Sequence, residues 1–225
     1  MPDSLDSAPA DDRTTKARIR DSAIECFAEY GVADTTARKV ATAAGVSAGL
    51  VLHHFKSMEG LRIACDEHVA AVIRHYKDET LSAGPQLDLF AALRDFDSGS
   101  MIGYLARVLT DDSAVVAKLV DNMVSDAEVY MQHGVESGML QPTDDPRSRA
   151  TVVALWFLGA LVMHRHMKRL LGIDLTDPDA TTDPAFLNYL RPMTEIMGSG
   201  IYTEGFVTQV KEALASPANP DLKEN

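Results

Sequence analysis

The chain has 225 residues, 46% of them apolar and 24% charged, a balance that suits one or two folded domains with a packed core. Its longest apolar run, Val152 to Met163, spans 12 residues. That is short of the ~20 a membrane helix needs, and the first twelve residues show no basic flank or apolar block of a signal peptide. The two cysteines, Cys26 and Cys65, sit inside apolar helical patterns, so a disulfide-stapled secreted protein is excluded and a cytoplasmic location is expected, with no membrane partner.

The net charge of −12 is unevenly spread. Residues 1–12 carry four acids and no base; residues 13–56 carry seven bases against four acids; residues 57–225 carry 14 bases against 25 acids. A small basic head on a large acidic body directs any polyanion to the head.

Between Pro9 and Pro85, and again to Pro142, the chain is free of proline, which suits long helices better than many short turns. The sequence predicts an all-α chain. A first helix from about Thr15 to Tyr30 carries Ile19, Ala23, Ile24, Phe27 and Tyr30 at helical spacing and stops at Gly31. Short helices follow over about 36–44, ending at Gly45, and 48–54, with Ser47 as N-cap. A long helix over 58–81 places Leu61, Cys65, Val69, Val72 and Tyr76 on one stripe before Gly84-Pro85. Further helices are predicted near 86–95, 100–109, 113–138, 146–171, 183–198 and 203–215. The Val152–Met163 portion is apolar on every side and so must be covered on every side. The chain's own core covers one face, and a second subunit is the natural cover for the other. Phe186, Tyr189, Leu190, Met193, Ile196 and Met197 add a second stripe, with a kink expected at Pro192. These two segments are the expected homodimer surface. The domain reading is an acidic tail at 1–12, a head at 13–57, a helical body at 58–216 and a polar tail at 217–225.

The most informative stretch is Thr35 to Phe55, TTARKVATAAGVSAGLVLHHF. Two short helices that cross steeply need a small residue at the approach, which Ala41 supplies. They also need a turn residue that tolerates a left-handed backbone, which is Gly45. Val51, with Val40 and Val46, locks the second helix from beneath. Such a helix-turn-helix can lay its second helix in a DNA major groove.

From Ile19 to about Val69 the chain resembles the DNA-binding head of the tetracycline-repressor (TetR) family of bacterial transcription regulators. The resemblance rests on Ala23-Ile24, Phe27-Ala28 and Gly31, then Thr35-Thr36. It continues through Ala41, Ala44-Gly45-Val46-Ser47, Gly49 and His53-His54-Phe55 to Ser57, Glu59 and Leu61. It implies that Thr36 bonds a phosphate, that Ser47 caps the recognition helix beside another, and that Ala48, Leu50, Leu52 and His53 face the groove. His54 and Lys56 would contact the backbone, with Arg38 or Lys39 reaching phosphates from the preceding helix, while Val51 and Phe55 are structural. The family usually has Lys at the position of Ala48, Tyr at Leu52 and Lys at Met58. Losing these groups removes phosphate contacts, while Leu50 and Leu52 suit thymine methyl groups. The arm Arg13, Lys16, Arg18 and Arg20 is a candidate compensation.

The resemblance further implies a helical body that binds a small effector, with Met101, Tyr104, Met123, Tyr130, Met131, Trp156 and Phe157 as candidate cavity residues. Taken singly, each of them also reads as core. His53-His54 and His164/His166 lack the i,i+4 spacing of helical metal ligands, so no metal or cofactor is expected. No phosphate loop, nucleophile elbow, H-E-x-x-H or paired-cysteine motif is present, so no catalysis is expected. Asp126 and Glu128 read as a solvated helix face. The expected function is a homodimeric DNA-binding regulator, a repressor released from its operator by an effector. The alternatives are an activator of the same fold and an architectural or protein-interaction module with a filled body.

Overall fold

The computed structural model of the protein describes residues 10–95 and 99–215, with side chains over 14–93 and 99–212. The expected tail at 217–225, most of the one at 1–12 and the side chain of Arg13 lie outside the described residues. Among those residues the chain is all helical: α1 (Ala10–Tyr30), α2 (Ala37–Ala44), α3 (Ala48–Phe55), α4 (Met58–Ser82), α5 (Leu89–Asp95), α6 (Met101–Val108), α7 (Ala114–Glu136), α8 (Pro146–Val162), α9 (His164–Leu171), a 3-10 turn (Pro184–Phe186), α10 (Leu187–Ser199) and α11 (Glu204–Ala215).

The helix starts follow from local chemistry. Thr36, Ser47, Ser57 and Asp145 sit in non-helical backbone before α2, α3, α4 and α8. Each accepts a hydrogen bond from the backbone N–H three residues on, satisfying a donor that the first turn leaves unpaired. α5 begins three residues later than the periodicity predicts, because Asp88 caps it by accepting from the Ala91 N–H at 3.0 Å. α1 starts earlier, at Ala10 instead of near Thr15.

The largest departure lies at 146–171, predicted as one helix. It breaks at Met163, and α8 and α9 are bent by 75°. Apolar periodicity runs straight through the break, so spacing could not disclose it. Asp174, three residues beyond the end of α9, folds back on the turned helix: it lies 3.2 Å from His164 Nδ1 and 3.3 Å from Lys168 Nζ. No single helix among the described residues is long and apolar enough to cross a membrane.

Contacts gather the chain into two compact units, one ending at Asp183 and one beginning at Pro184. Within the first, α4 packs on α7, α7 on α8, and α1 on α6, α2 and α4. One buried core joins Ile19, Ala23 and Phe27 of α1 to Val40 of α2, Val51 and Phe55 of α3, Leu61, Cys65 and Val69 of α4, and Tyr104, Leu105 and Val108 of α6. The expected boundary at 57/58 therefore falls inside a continuous core. A second cluster, Val124, Ala127 and Met131 with Ala150 and Ala154, sits between α7 and α8. In the second unit Phe186 and Tyr189 pair their rings at 6.2 Å, α10 continues through Pro192, and Tyr202 and Phe206 pair at 4.9 Å. α10 buries none of its residues.

Candidate nucleic-acid interface

The turn between α2 and α3 is built as the sequence demands. Gly45 has φ 66 and ψ 36. Its N–H reaches Thr42 O at 3.3 Å while Val46 N–H reaches Ala41 O at 2.9 Å, the paired bonds of a helix-ending glycine turn. Val40 and Val51 are fully buried beneath it. Thr35 is buried and its hydroxyl lies 2.7 Å from Gly31 O and 3.1 Å from Cys26 O, tying the start of α2 to the end of α1.

Burial divides the expected groove residues. Leu52 and His53 are exposed, as are Gly49, Ser47 and Lys56, and they share the outward side of α3. Ala48 and Leu50 are half-buried and pack against the head core, so they flank that side instead of leading it. His54 is also half-buried, its ring edge-on to His53 at 5.6 Å and to Phe55 at 6.3 Å. The hydroxyl oxygens of Thr36 and Ser47 accept from Lys39 N–H at 3.3 Å and Leu50 N–H at 3.2 Å. Capping uses a lone pair and leaves each hydroxyl hydrogen to donate to a phosphate.

The cations are placed more variously. Arg38 is exposed on α2. Lys39 turns back, donating from Nζ to Asp34 O at 2.9 Å and lying 4.3 Å from the Tyr30 ring. Lys56 donates from Nζ to His53 O at 3.1 Å, and its backbone stands at φ 68 where α3 ends. Of the arm, Lys16 lies 5.7 Å over the Phe55 ring, while Arg20 is held by Asp21 at 2.7 Å beside α4 and is not extended toward a ligand. An exposed face with two capped hydroxyls, an apolar tip at Leu52 and several cations can dock on a polyanion by phosphate contacts and read bases by shape and methyl contact.

Two features escape sequence reasoning. Gly60, in the first turn of α4, comes so close to α3 that a Cβ there would lie 2.2 Å from the Phe55 carbonyl oxygen. Arg62 and Asp66, oppositely charged and four residues apart on α4, are both buried. Arg62 Nη1 donates to Asp111 Oδ2 at 2.9 Å and the Tyr104 hydroxyl donates to Asp66 Oδ1 at 2.6 Å. Burial raises the Asp66 pKa, against the lowering influence of the Tyr104 bond and of Arg62. The only sequence signal was their place beside the Leu61–Cys65–Val69 stripe. Burial also raises the thiol pKa values of Cys26 and Cys65, so neither is a ready thiolate.

The candidate effector residues are scattered. Tyr104 is fully buried in the core, its ring 5.9 Å from Phe27. Met101 and Met123 are half-buried against that same core, and Tyr130 against the second. Met131 is buried in the second cluster, and burial pushes the Tyr130 phenol up to about 12. Trp156 is 56% exposed, and Phe157 turns to a flank of α8 with Lys77 Nζ 5.3 Å from its ring. Asp126 and Glu128 pair with Arg74 and Arg147 on the surface of α7, at 3.3 and 3.0 Å.

Comparison with known proteins agrees with the head and extends to the body. Residues 19–65 match the family model for bacterial regulatory proteins of the tetR family, and residues 97–208 match the tetracyclin repressor-like C-terminal domain. The chain is 35% identical over 197 residues to the HTH-type transcriptional regulatory protein RaaS of Mycobacterium tuberculosis, covering 87% of this chain and 88% of that one. It is 28% identical over 145 residues to the HTH-type transcriptional repressor AcnR of Corynebacterium glutamicum, covering 62% of this chain and 77% of that one. In fold it is similar to SmeT, the repressor of the Stenotrophomonas maltophilia multidrug efflux pump SmeDEF, with a TM-score of 0.51 at 22% identity over 85% of this chain and 98% of that one. With family models on both halves and a relative aligned along most of its length, the chain belongs to the TetR family of bacterial transcriptional regulators, a DNA-binding regulator and not an enzyme.

Proposed function

We propose that the protein is a cytoplasmic, homodimeric repressor that lays α3 of each copy in successive major grooves of a near-palindromic operator and leaves it when a small effector binds. The observation that carries this reading is the outward side of α3. Leu52 and His53 stand exposed, with Thr36, Arg38, Ser47 and Lys56 around them to hold phosphates and Ala48, Leu50 and His54 at the flanks. Half-sites would be spaced about 34–36 Å apart.

Pairing is supported by α8. Its outward stripe, Val152, Leu155, Trp156 and Met163, is about half exposed throughout, and a contiguous apolar patch of this kind marks an interaction surface. The name repressor carried by the Corynebacterium relative favours repression over activation. The core shared by α1, α4 and α6 supports effector control, because a shift of α6 cannot leave the head packing unchanged.

Fluorescence anisotropy with the DNA flanking the gene, alongside sedimentation of the free protein, tests the reading. A dimer that binds one fragment far more tightly than random DNA is expected, and Trp156→Asp should give a monomer with much weaker binding. A strictly monomeric protein that ignores all fragments would overturn it. A reporter whose transcription rises with the protein would make it an activator.

A further inference from the structure

We propose that the cavity where α1, α6 and the α8–α9 bend meet is a site for a small organic anion, a carboxylate or phosphate monoester with a short apolar tail. The proposal rests on the effector-controlled reading above and names the chemical class of effector and where it binds. The cavity measures about 340 Å³. At ~30 Å³ per water-sized group that is room for about eleven non-hydrogen atoms, the lower end of the range for ligand sites.

Its lining is unlike the rest of the body. Beyond residue 56 acids outnumber bases 25 to 14, yet the cavity is lined by Arg107, His164 and Arg165 and by no acidic side chain. The floor is small and apolar, from Ala28 of α1, Gly103 and Ala106 of α6, and Val162 at the end of α8. Gly103 keeps it open: a Cβ there would stand 3.6 Å from the Ala28 Cβ and 3.9 Å from Thr176 O, so an alanine fits and a longer side chain would project between the walls.

Each polar group has a defined part. Asp174 accepts from Thr176, Lys168 and His164. Although burial works against it, these bonds hold its carboxyl down at about 2, so it is ionised and acceptor-only. The His164 nitrogen facing it, Nδ1, therefore carries the hydrogen, and Nε2 of the neutral ring is an acceptor, so the donors to an anion are the two arginines. Arg165 is exposed at the start of α9. Arg107 donates from Nε to Ala28 O at 3.3 Å, which ties α6 to the last turns of α1 and leaves its two terminal nitrogens for a ligand. An anion drawn to Arg107 competes for or redirects the group that joins body to head. Occupancy thereby acts on the position of α1 and, through it, on α3.

Calorimetric titration of the full-length protein with hexanoate, hexyl phosphate and the neutral hexanamide tests this, followed by operator titration with each ligand present. Expected is binding of at least one anion, with hexanamide about tenfold weaker or more, and loss of about tenfold on Arg165→Gln, one charge-assisted contact being removed. Gly103→Leu should abolish binding while Gly103→Ala keeps it, with thermal melts of all variants confirming the fold. Hexanamide binding as well as the anions, unaltered affinity in Arg165→Gln, or no anion bound at about 10 mM would overturn the site. Anion binding that leaves operator affinity unchanged would overturn its role as the effector site while leaving DNA binding intact. Operator release by another compound, undiminished in Arg165→Gln, would move the effector elsewhere and preserve the functional reading.

Discussion

Tyr104 on α6 and Asp66 on α4 meet across 2.6 Å, both buried, with the phenol donating and the carboxylate accepting. The bond sits within the shared core of α1, α4 and α6, beside the Phe27 ring, and Arg62 stands one turn before Asp66 with its own bond to Asp111. The long helix α4 that leaves the DNA-binding head is thus fastened to the body by polar contacts in an otherwise apolar region. Such contacts require particular partners, so they fix the position of α4 on α6 more sharply than apolar packing alone.

Removing the donor tests that fastening. Tyr104→Phe keeps the ring against Phe27 and leaves Asp66 Oδ1 buried without the hydroxyl. The expected loss is about 1–3 kcal/mol of stability, read by urea denaturation. Tyr104 bonding lowers the Asp66 pKa, so the variant should also raise it further, visible by carboxyl NMR titration. An unchanged denaturation midpoint would show that the bond contributes nothing net.

Gly60→Ala should loosen the joint between α3 and α4. Its Cβ would fall 2.2 Å from the Phe55 carbonyl oxygen, a backbone atom that cannot swing away as a side-chain tip can. The strain is of the overpacking kind and costs about 1–3 kcal/mol. Thermal melting should register it, and operator affinity should drop as α3 moves. Equal melting temperatures would mean that the helices part without cost.

Leu52 and Lys56 should separate base reading from phosphate holding. Leu52→Ala is expected to change the ranking of operator variants more than average affinity, because it removes an exposed apolar contact to base edges. Lys56→Gly should weaken all sequences alike and lower the salt slope by about one. It should also raise fold stability by a few tenths of a kcal/mol or more, since glycine accepts φ 68 without a Cβ penalty. A uniform loss in Leu52→Ala, or an unchanged slope in Lys56→Gly, would reassign those residues.

His133 on α7 lies 2.5 Å from Asp78 on α4, and this bond, ahead of the opposing effect of burial, raises the histidine pKa above its ordinary 6.5. A raised folded-state value means that the pair's contribution is fully present below pH 6.5 and is lost as pH climbs through the folded value. Denaturation midpoints should therefore decline over that interval, and His133→Gln should flatten the decline. A variant with the same pH dependence as the parent would place the titration elsewhere.

Much of this molecule is written locally. The helix starts at Thr36, Ser47 and Ser57, the left-handed turn at Gly45 and the buried undersides of α2 and α3 depend on residues a few positions apart. Spacing and capping chemistry therefore sufficed to predict α2, α3 and the turn between them, the residues on which the family resemblance rests. Tertiary structure decided the rest. Whether Leu50 or Leu52 faces outward turns on what the head core covers. The places of Tyr104 and Trp156 turn on which helix lies opposite. Periodicity identifies an apolar face, but it carries no information about what that face meets. The buried Arg62 and Asp66, and the cation-lined cavity between α1 and α6, arise only once helices distant in sequence are brought together.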